Sequence, residues 1–317
     1  MKKVIITAIT ALVLFSCQNE SSESANAEAA VASRRACATQ DVLEAQLKAD
    51  PSLALRMNEI EAITNEKILS GRLVNGKIEI PVVVNVLYRT TAENISATQI
   101  QSQIDVLNKD FNALNTDYNS VPALFSGVKA NIGITFVLDQ IIRKSTTKTS
   151  WGTNDAMKKT AQGGIAPTSP TTKLNMWSCT IGGGILGYAQ FPGGASSTDG
   201  VVIDPKYFGL SGAANAPFNL GRTATHEVGH WMNLRHIWGD ATCGSDLVAD
   251  TPTHNEANYG VPAYPHYSTC SGTPVEMTMN YMDYVDDNAM YMFSTGQKNR
   301  ISAIFASGGA RNSFAQP

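Results

Sequence analysis

The sequence predicts an α/β fold, and three features carry that prediction. An eleven-residue run rich in β-branched residues stands at Ile78–Tyr88, and an amphipathic helix with its own capping signal follows it. A series of short strand-like runs between residues 133 and 203 then leads into a second helix.

In chain order, apolar residues first recur at helical spacing from Asp41 to Leu69, interrupted by Pro51. A proline lacks the backbone donor and clashes with the preceding turn, so two helices of a small separate segment are expected, bounded by Gly71 to Gly76. Ile78–Tyr88 (IEIPVVVNVLY) reads as a central strand. Ser96 and Gln99 form a capping box for a helix reaching about Leu114, with Ile100, Ile104, Leu107 and Phe111 on one face. Further strands are expected at Gly133 to Leu138, Lys173 to Thr180, Gly187 to Phe191 and Gly200 to Ile203. Gly182, Gly183 and Gly184 lack the Lys-Ser/Thr pair of a phosphate loop and read as a turn before an edge strand. Asn219 to Leu234 is helical again. Beyond His236 the chain turns loop-rich, with Pro252, Pro262, Pro265 and Pro274, until Gly296 to Ala306 suggests a closing helix.

Composition bounds what the chain can do. Of 317 residues 43% are hydrophobic, enough for a substantial core, and 24 Lys plus Arg against 27 Asp plus Glu give no electrostatic basis for binding nucleic acid. The longest apolar run, Val4 to Phe15, falls short of the about 20 residues a membrane-spanning helix needs. With Lys2 and Lys3 before it and Leu14-Phe15-Ser16-Cys17 ending it, that run reads as a secretory signal over residues 1–17, so the chain is expected outside the cytoplasm. The tetrad ending in Cys17 resembles a bacterial lipobox, whose cysteine is lipidated. A cell-envelope lipoprotein or a secreted protein is therefore expected, touching the membrane only through that anchor. The polar, small-residue stretch QNESSESANAEAA reads as a tether. Of the other cysteines, Cys37 lies in the leader region, and Cys179 sits in the apolar run LNMWSCTI as a buried free thiol. Cys243 and Cys270 bracket a loop that a disulfide would pin.

The chemistry concentrates in HEVGHWMNLRH, His226 to His236, which holds three of the five histidines. Residues four apart share a helix face, so His226 and His230 can aim ring nitrogens at one ion while Glu227 lies beside them without ligating. On a continuous helix His236 would point away, so the chain must turn between them. Asn233 stands where that turn needs a left-handed residue, a conformation asparagine tolerates best after glycine. Three neutral imidazoles leave a coordination position open, the mark of a catalytic rather than a structural zinc site. Isolated histidines are more often hydrogen-bonded core residues; three in this register favour a metal.

These residues resemble the signature of the metzincin metalloproteases, H-E-x-x-H-x-x-G-x-x-H, with Asn233 in place of the usual glycine. Asn280-Tyr281-Met282-Asp283-Tyr284 resembles the methionine turn of that group. HEVGHWMNLRHIWGD, Cys243, Asp250-Thr251-Pro252, Cys270, MNYMDYVDD and the upstream GGGILGYAQFP narrow the resemblance to the pappalysin family, including ulilysin-like enzymes, over roughly Ile78 to Ala306. The resemblance implies a twisted mixed sheet with a backing helix, an active-site helix above the cleft, and an irregular C-terminal subdomain holding His236, the disulfide and the Met-turn. It also implies that Met282 lies beneath the zinc and that Tyr284 binds the oxyanion or ligates the metal. Structural calcium near Asp246, Asp250, Thr251 and Thr253 and a latency switch at Cys37, whose thiolate takes the open zinc position, follow from it too. On this reading residues 18–75 are a tether and helical propeptide, with Arg56 or Arg72 as processing points, and 76–317 are the protease domain.

The expected activity is endopeptidase cleavage of protein or peptide substrates by a monomer. Zinc lowers the pKa of a water towards about 7, and Glu227 takes its proton and passes it to the leaving amine. The substrate is expected to pair with the edge strand around Gly187 to Phe191, and acidic groups such as Asp283 are candidates for a pocket taking a basic side chain. Two rivals remain: a zincin whose third ligand is Glu256 or Glu276, and a non-catalytic zinc-containing surface lipoprotein that binds protein or glycan.

Overall fold

The computed structural model describes residues 33–71, 73 and 77–315. The signal-like segment with Cys17, the tether and Arg72 lie outside the described residues.

Helices α1 (Thr39–Ala49) and α2 (Ser52–Ser70) break where Pro51 predicted. Asp50 accepts from the Ser52 N–H at 3.1 Å, and Pro51 falls at the cap of α2, where its missing donor costs nothing. These helices are not the separate segment read from the sequence; the described residues belong to one compact unit, Val31–Pro317. The reason is burial of their apolar faces: Val42 and Leu53 are both enclosed, and Glu61 pairs with the buried Arg300 at 2.7 Å.

Strand β1 (Ile78–Tyr88) is followed by α3 (Ala97–Phe111), β2 (Lys129–Ala130), β3 (Ile134–Ser145), β4 (Leu174–Ser178), β5 (Gly187–Ala189) and β6 (Val201–Ile203). The main sheet runs β3-β1-β4-β6-β5, parallel except for β5, which is antiparallel to β6 and forms one edge. β1 has partners on both sides, which is why its apolar run is nearly unbroken. β3 continues seven residues past the expected Leu138. There DQIIRKS alternates on a half-exposed edge, and a register shift opposite Val82/Val83 marks a bulge, so no continuous apolar run announced it.

On α3 Ser96 Oγ accepts from the Gln99 N–H, and Ile100, Ile104, Leu107 and Phe111 form the buried face. The reciprocal half of that capping box is absent: the Gln99 side chain donates instead to the carbonyls of Pro205 and Phe208, tying the end of β6 to the helix. Helix α4 (Arg222–Trp231) packs on β5, β6 and α3. Strand β7 (Phe293–Ser294) pairs with β2, and α5 (Thr295–Phe305) closes the chain, opened by a complete capping box between Ser294 and Gln297. Between α4 and β7 lies the irregular stretch, pinned by a Cys243–Cys270 disulfide with a Cα–Cα distance of 5.7 Å. Cys179 is buried and free. Among the described residues no helix is long and apolar enough to cross a membrane.

Candidate active site

Helix α4 carries His226, Glu227 and His230, all buried. It ends at Trp231, and Asn233 takes the left-handed φ of 70° that the spacing required, with the Leu234 N–H bonded back to the Gly229 carbonyl. The reversal returns His236 to its partners: Nε2 of His230 lies 3.1 Å from Nε2 of His226 and 3.0 Å from Nε2 of His236. Each Nδ1 faces an acceptor, the Tyr281 carbonyl at 2.7 Å, the Leu234 carbonyl at 2.8 Å and Asp240 Oδ1 at 2.5 Å. The Nδ1 atoms therefore hold the ring protons and leave three Nε2 lone pairs converging. Burial first, and mutual repulsion second, push His226 and His230 well below the ordinary histidine pKa, which keeps both neutral. Three lone pairs at this separation repel unless a cation lies among them, so the donor set fits zinc.

A fourth donor joins them. Cys37 Sγ and the three imidazoles place their ligand atoms within 4.8 Å of one another. Neither Glu256 nor Glu276 belongs to this group; Glu276 is held by the Asn255 N–H, Asn258 and His266. Met282 is fully buried below, and its sulfur lies so close to Gly229 that a Cβ there would meet it at 2.5 Å. A side chain at Gly229 would require Met282 to shift. The Ile237 N–H bonds to the Met282 carbonyl at 3.1 Å, linking this turn to the segment after the third histidine. Tyr284 packs its ring against His236 and Trp238 and donates its hydroxyl to the Cys37 carbonyl at 3.1 Å.

Glu227 Oε2 accepts from Thr39 Oγ1 at 2.8 Å and from Cys37 Sγ at 3.3 Å. Burial pushes its carboxyl up to about 7, partly countered by those two bonds and by the charge of Arg35. The leader around Cys37 lies along β5 as an added parallel strand: the Ala38 N–H donates to the Gly187 carbonyl at 3.0 Å and the Leu186 N–H to the Ala36 carbonyl at 2.9 Å. Thr39 Oγ1 also accepts from the Ala189 N–H. The edge expected to receive a substrate is thus covered by the chain's own leader.

Sequence reasoning missed the next contact. Arg35 enters a closed pocket where Nη2 meets Asp287 Oδ1 at 2.6 Å, Nε donates to the Val285 carbonyl at 3.1 Å and Nη1 to Thr223 Oγ1 at 3.2 Å, above the Phe218 ring. The other Asp287 oxygen accepts from the Leu220 and Arg222 N–H groups at the start of α4. Asp283, the acidic group suspected of such a role, is turned away, bonded to Asn258 and the Tyr284 N–H, and burial pushes it up to about 7. The residues expected to hold calcium have separate ties: Asp246 accepts from Thr251 and the Val248 N–H, while Asp250 accepts from Ser294 and the Gly296 N–H at the start of α5.

A family profile described as Pregnancy-associated plasma protein-A matches residues 178–306, which contain the three histidines and the Met282 turn. An extracellular metalloprotease of Pyricularia oryzae is 32% identical over 270 residues, 81% of this chain and 84% of that protein. The chain belongs to the pappalysin family of metalloproteases. A second relative, extracellular metalloprotease 1 of Coccidioides posadasii, is 32% identical over 72% of this pappalysin and 78% of its own length. Among solved structures, mature mirolysin of Tannerella forsythia with a cleaved peptide is 41% identical, with a TM-score of 0.74 over 76% of this chain and 97% of its own. A promirolysin mutant of the same organism is 38% identical, with a TM-score of 0.81 over 89% of this pappalysin and 97% of its own chain. The pappalysin fold and its peptide-hydrolase activity hold here.

Proposed function

We propose that this pappalysin is a zinc endopeptidase acting outside the cytoplasm, held latent by its own leader. The observation that carries the reading is the convergence of three Nε2 atoms, from His226, His230 and His236, beside the buried carboxyl of Glu227. Zinc, when bound, polarises a peptide carbonyl and makes water more acidic. Glu227 accepts the proton of the attacking water and returns it to the leaving amine, the two roles a carboxylate beside the metal donors can serve. Tyr284, whose hydroxyl now bonds the Cys37 carbonyl, donates to the developing oxyanion once the leader has gone. Substrate takes the main-chain groups of Leu186 and Gly187 that the leader uses, and a basic side chain beside the scissile bond takes the Asp287 pocket.

Latency has three points of attachment: Cys37 at the metal donors, Thr39 on Glu227, and Arg35 on Asp287. Residues 18–75 form the removable leader and 1–17 direct export, with lipid attachment at Cys17. The test is incubation of the processed protein with a peptide library, with and without a zinc chelator, and cleavage sites read by mass spectrometry. Cuts beside Arg or Lys are expected, abolished by the chelator and lowered about 10²- to 10⁴-fold by Glu227→Ala. A Glu227→Ala enzyme as active as the wild type overturns the reading.

A further inference from the structure

Arg35 is not the only leader arginine with a partner. The guanidinium of Arg34 lies 4.5 Å from the centroid of the Tyr259 ring. Tyr259 in turn packs against Tyr284 at 6.0 Å, and Tyr284 against His226 and His236, so this ring stands in the cleft wall one side chain away from the metal donors. It is 39% exposed even with the leader in place, which leaves its outer face open to whatever replaces Arg34.

Tyr259 is also held rigidly to the Arg35 pocket. Gly260 and Val285 form a parallel bridge, and the Asp286 N–H donates to the Gly260 carbonyl at 2.9 Å. The Val285 carbonyl is itself an acceptor for Arg35, and Asp287 is its ion-pair partner. On the other side of the ring, Asn258 is fixed by Asp283 and Glu276. Pocket and aromatic face are therefore two parts of one hydrogen-bonded frame, spaced to take the side chains of adjacent residues.

We infer that Tyr259 is a specificity-determining residue, and that the cleft reads a pair of consecutive basic side chains, one enclosed by Asp287 and its neighbour laid on the Tyr259 ring. The inference rests on the proposed peptidase function and narrows its substrate class to dibasic peptides. An exposed ring offers a modest cation–π contact, so the second basic residue contributes about two- to five-fold.

Enzyme activated from the full chain by limited proteolysis is assayed on fluorogenic peptides carrying one arginine for the pocket and either arginine or alanine as its neighbour, on each side in turn. On one side the diarginine peptide is expected to have a kcat/KM about two- to five-fold above its alanine counterpart. Tyr259→Phe keeps that ratio, whereas Tyr259→Leu, which fills similar space without a π face, brings it to one. A ratio of one in the wild type, or a ratio untouched by Tyr259→Leu, overturns the inference alone. Failure of the wild type to cut any arginine peptide while it cuts others in the peptide library overturns the basic-side-chain reading of the Asp287 pocket and this inference with it; failure to cut any peptide overturns the peptidase reading.

Discussion

Asn233 donates its side-chain amide to Glu61 of the leader helix at 3.1 Å, from the same turn whose left-handed backbone lets His236 reach the other histidines. The Glu61 carboxylate also receives both Nη groups of Arg300, at 2.7 and 3.0 Å, and Arg300 Nη2 reaches the Asn233 carbonyl at 3.3 Å. The residue that departs from the usual glycine thus serves the metal site through its backbone and the leader through its side chain. A nearly enclosed arginine depends on a carboxylate of α2, which the proposed processing would remove.

Glu61→Ala in the full chain should therefore weaken the leader without touching a metal donor. Losing one partner of a largely buried ion pair costs about 2 kcal/mol, or about 30-fold in affinity. The measurement is inhibition of the mature enzyme by separately added leader, with and without the change; equal inhibition constants would sink the clasp.

Asp240 accepts a hydrogen bond from His236 Nδ1, so it fixes which nitrogen faces the ion. Asp240→Ala should lower zinc affinity about 10- to 100-fold, read by competition with a chromophoric chelator, while His236→Ala lowers it much further. A variant with wild-type affinity would show that packing on Trp238, stacked at 4.4 Å, orients the ring unaided.

Cys37 and Thr39 act on different partners, the metal donors and Glu227. Cys37→Ala should raise the peptide turnover of the uncleaved chain, and Thr39→Val should add to it because Glu227 then loses its hydroxyl donor. If neither variant shows turnover above the uncleaved wild type, the latch lies elsewhere in the leader.

Much of this site was legible because its determinants are local. The His226 to His236 spacing, the need for a left-handed Asn233 and the Ser96 cap all operate within a few residues. Arg35 was not legible, since its meaning comes from Asp287, 252 positions away, and no short-range pattern marks such a pair. The docking of α2 was hidden for the same reason: Glu61 looks like any solvated helix carboxylate until Arg300 is placed against it. The second half of β3 escaped because an edge strand with one wet face resembles a loop in composition.

Asp204 gives a stability prediction with a definite sign. It joins the triple-glycine turn to the end of β6, accepting from the Ile181 N–H at 2.9 Å and the Lys206 N–H at 3.0 Å, and its own N–H donates to the Leu186 carbonyl beside the leader strand. Burial outweighs those bonds and pushes its carboxyl from 3.8 up to about 6. Between those values the folded chain binds the proton more tightly than the unfolded chain does, so this group's contribution is full below about 4 and is lost as pH rises to about 6. Two pKa steps correspond to about 3 kcal/mol. Asp204→Asn, which keeps one acceptor and no charge, removes that slope. Urea unfolding of both proteins from acid to neutral pH should show the variant gaining relative stability as pH rises. A difference that stays constant across the range would mean the carboxyl titrates alike in both states.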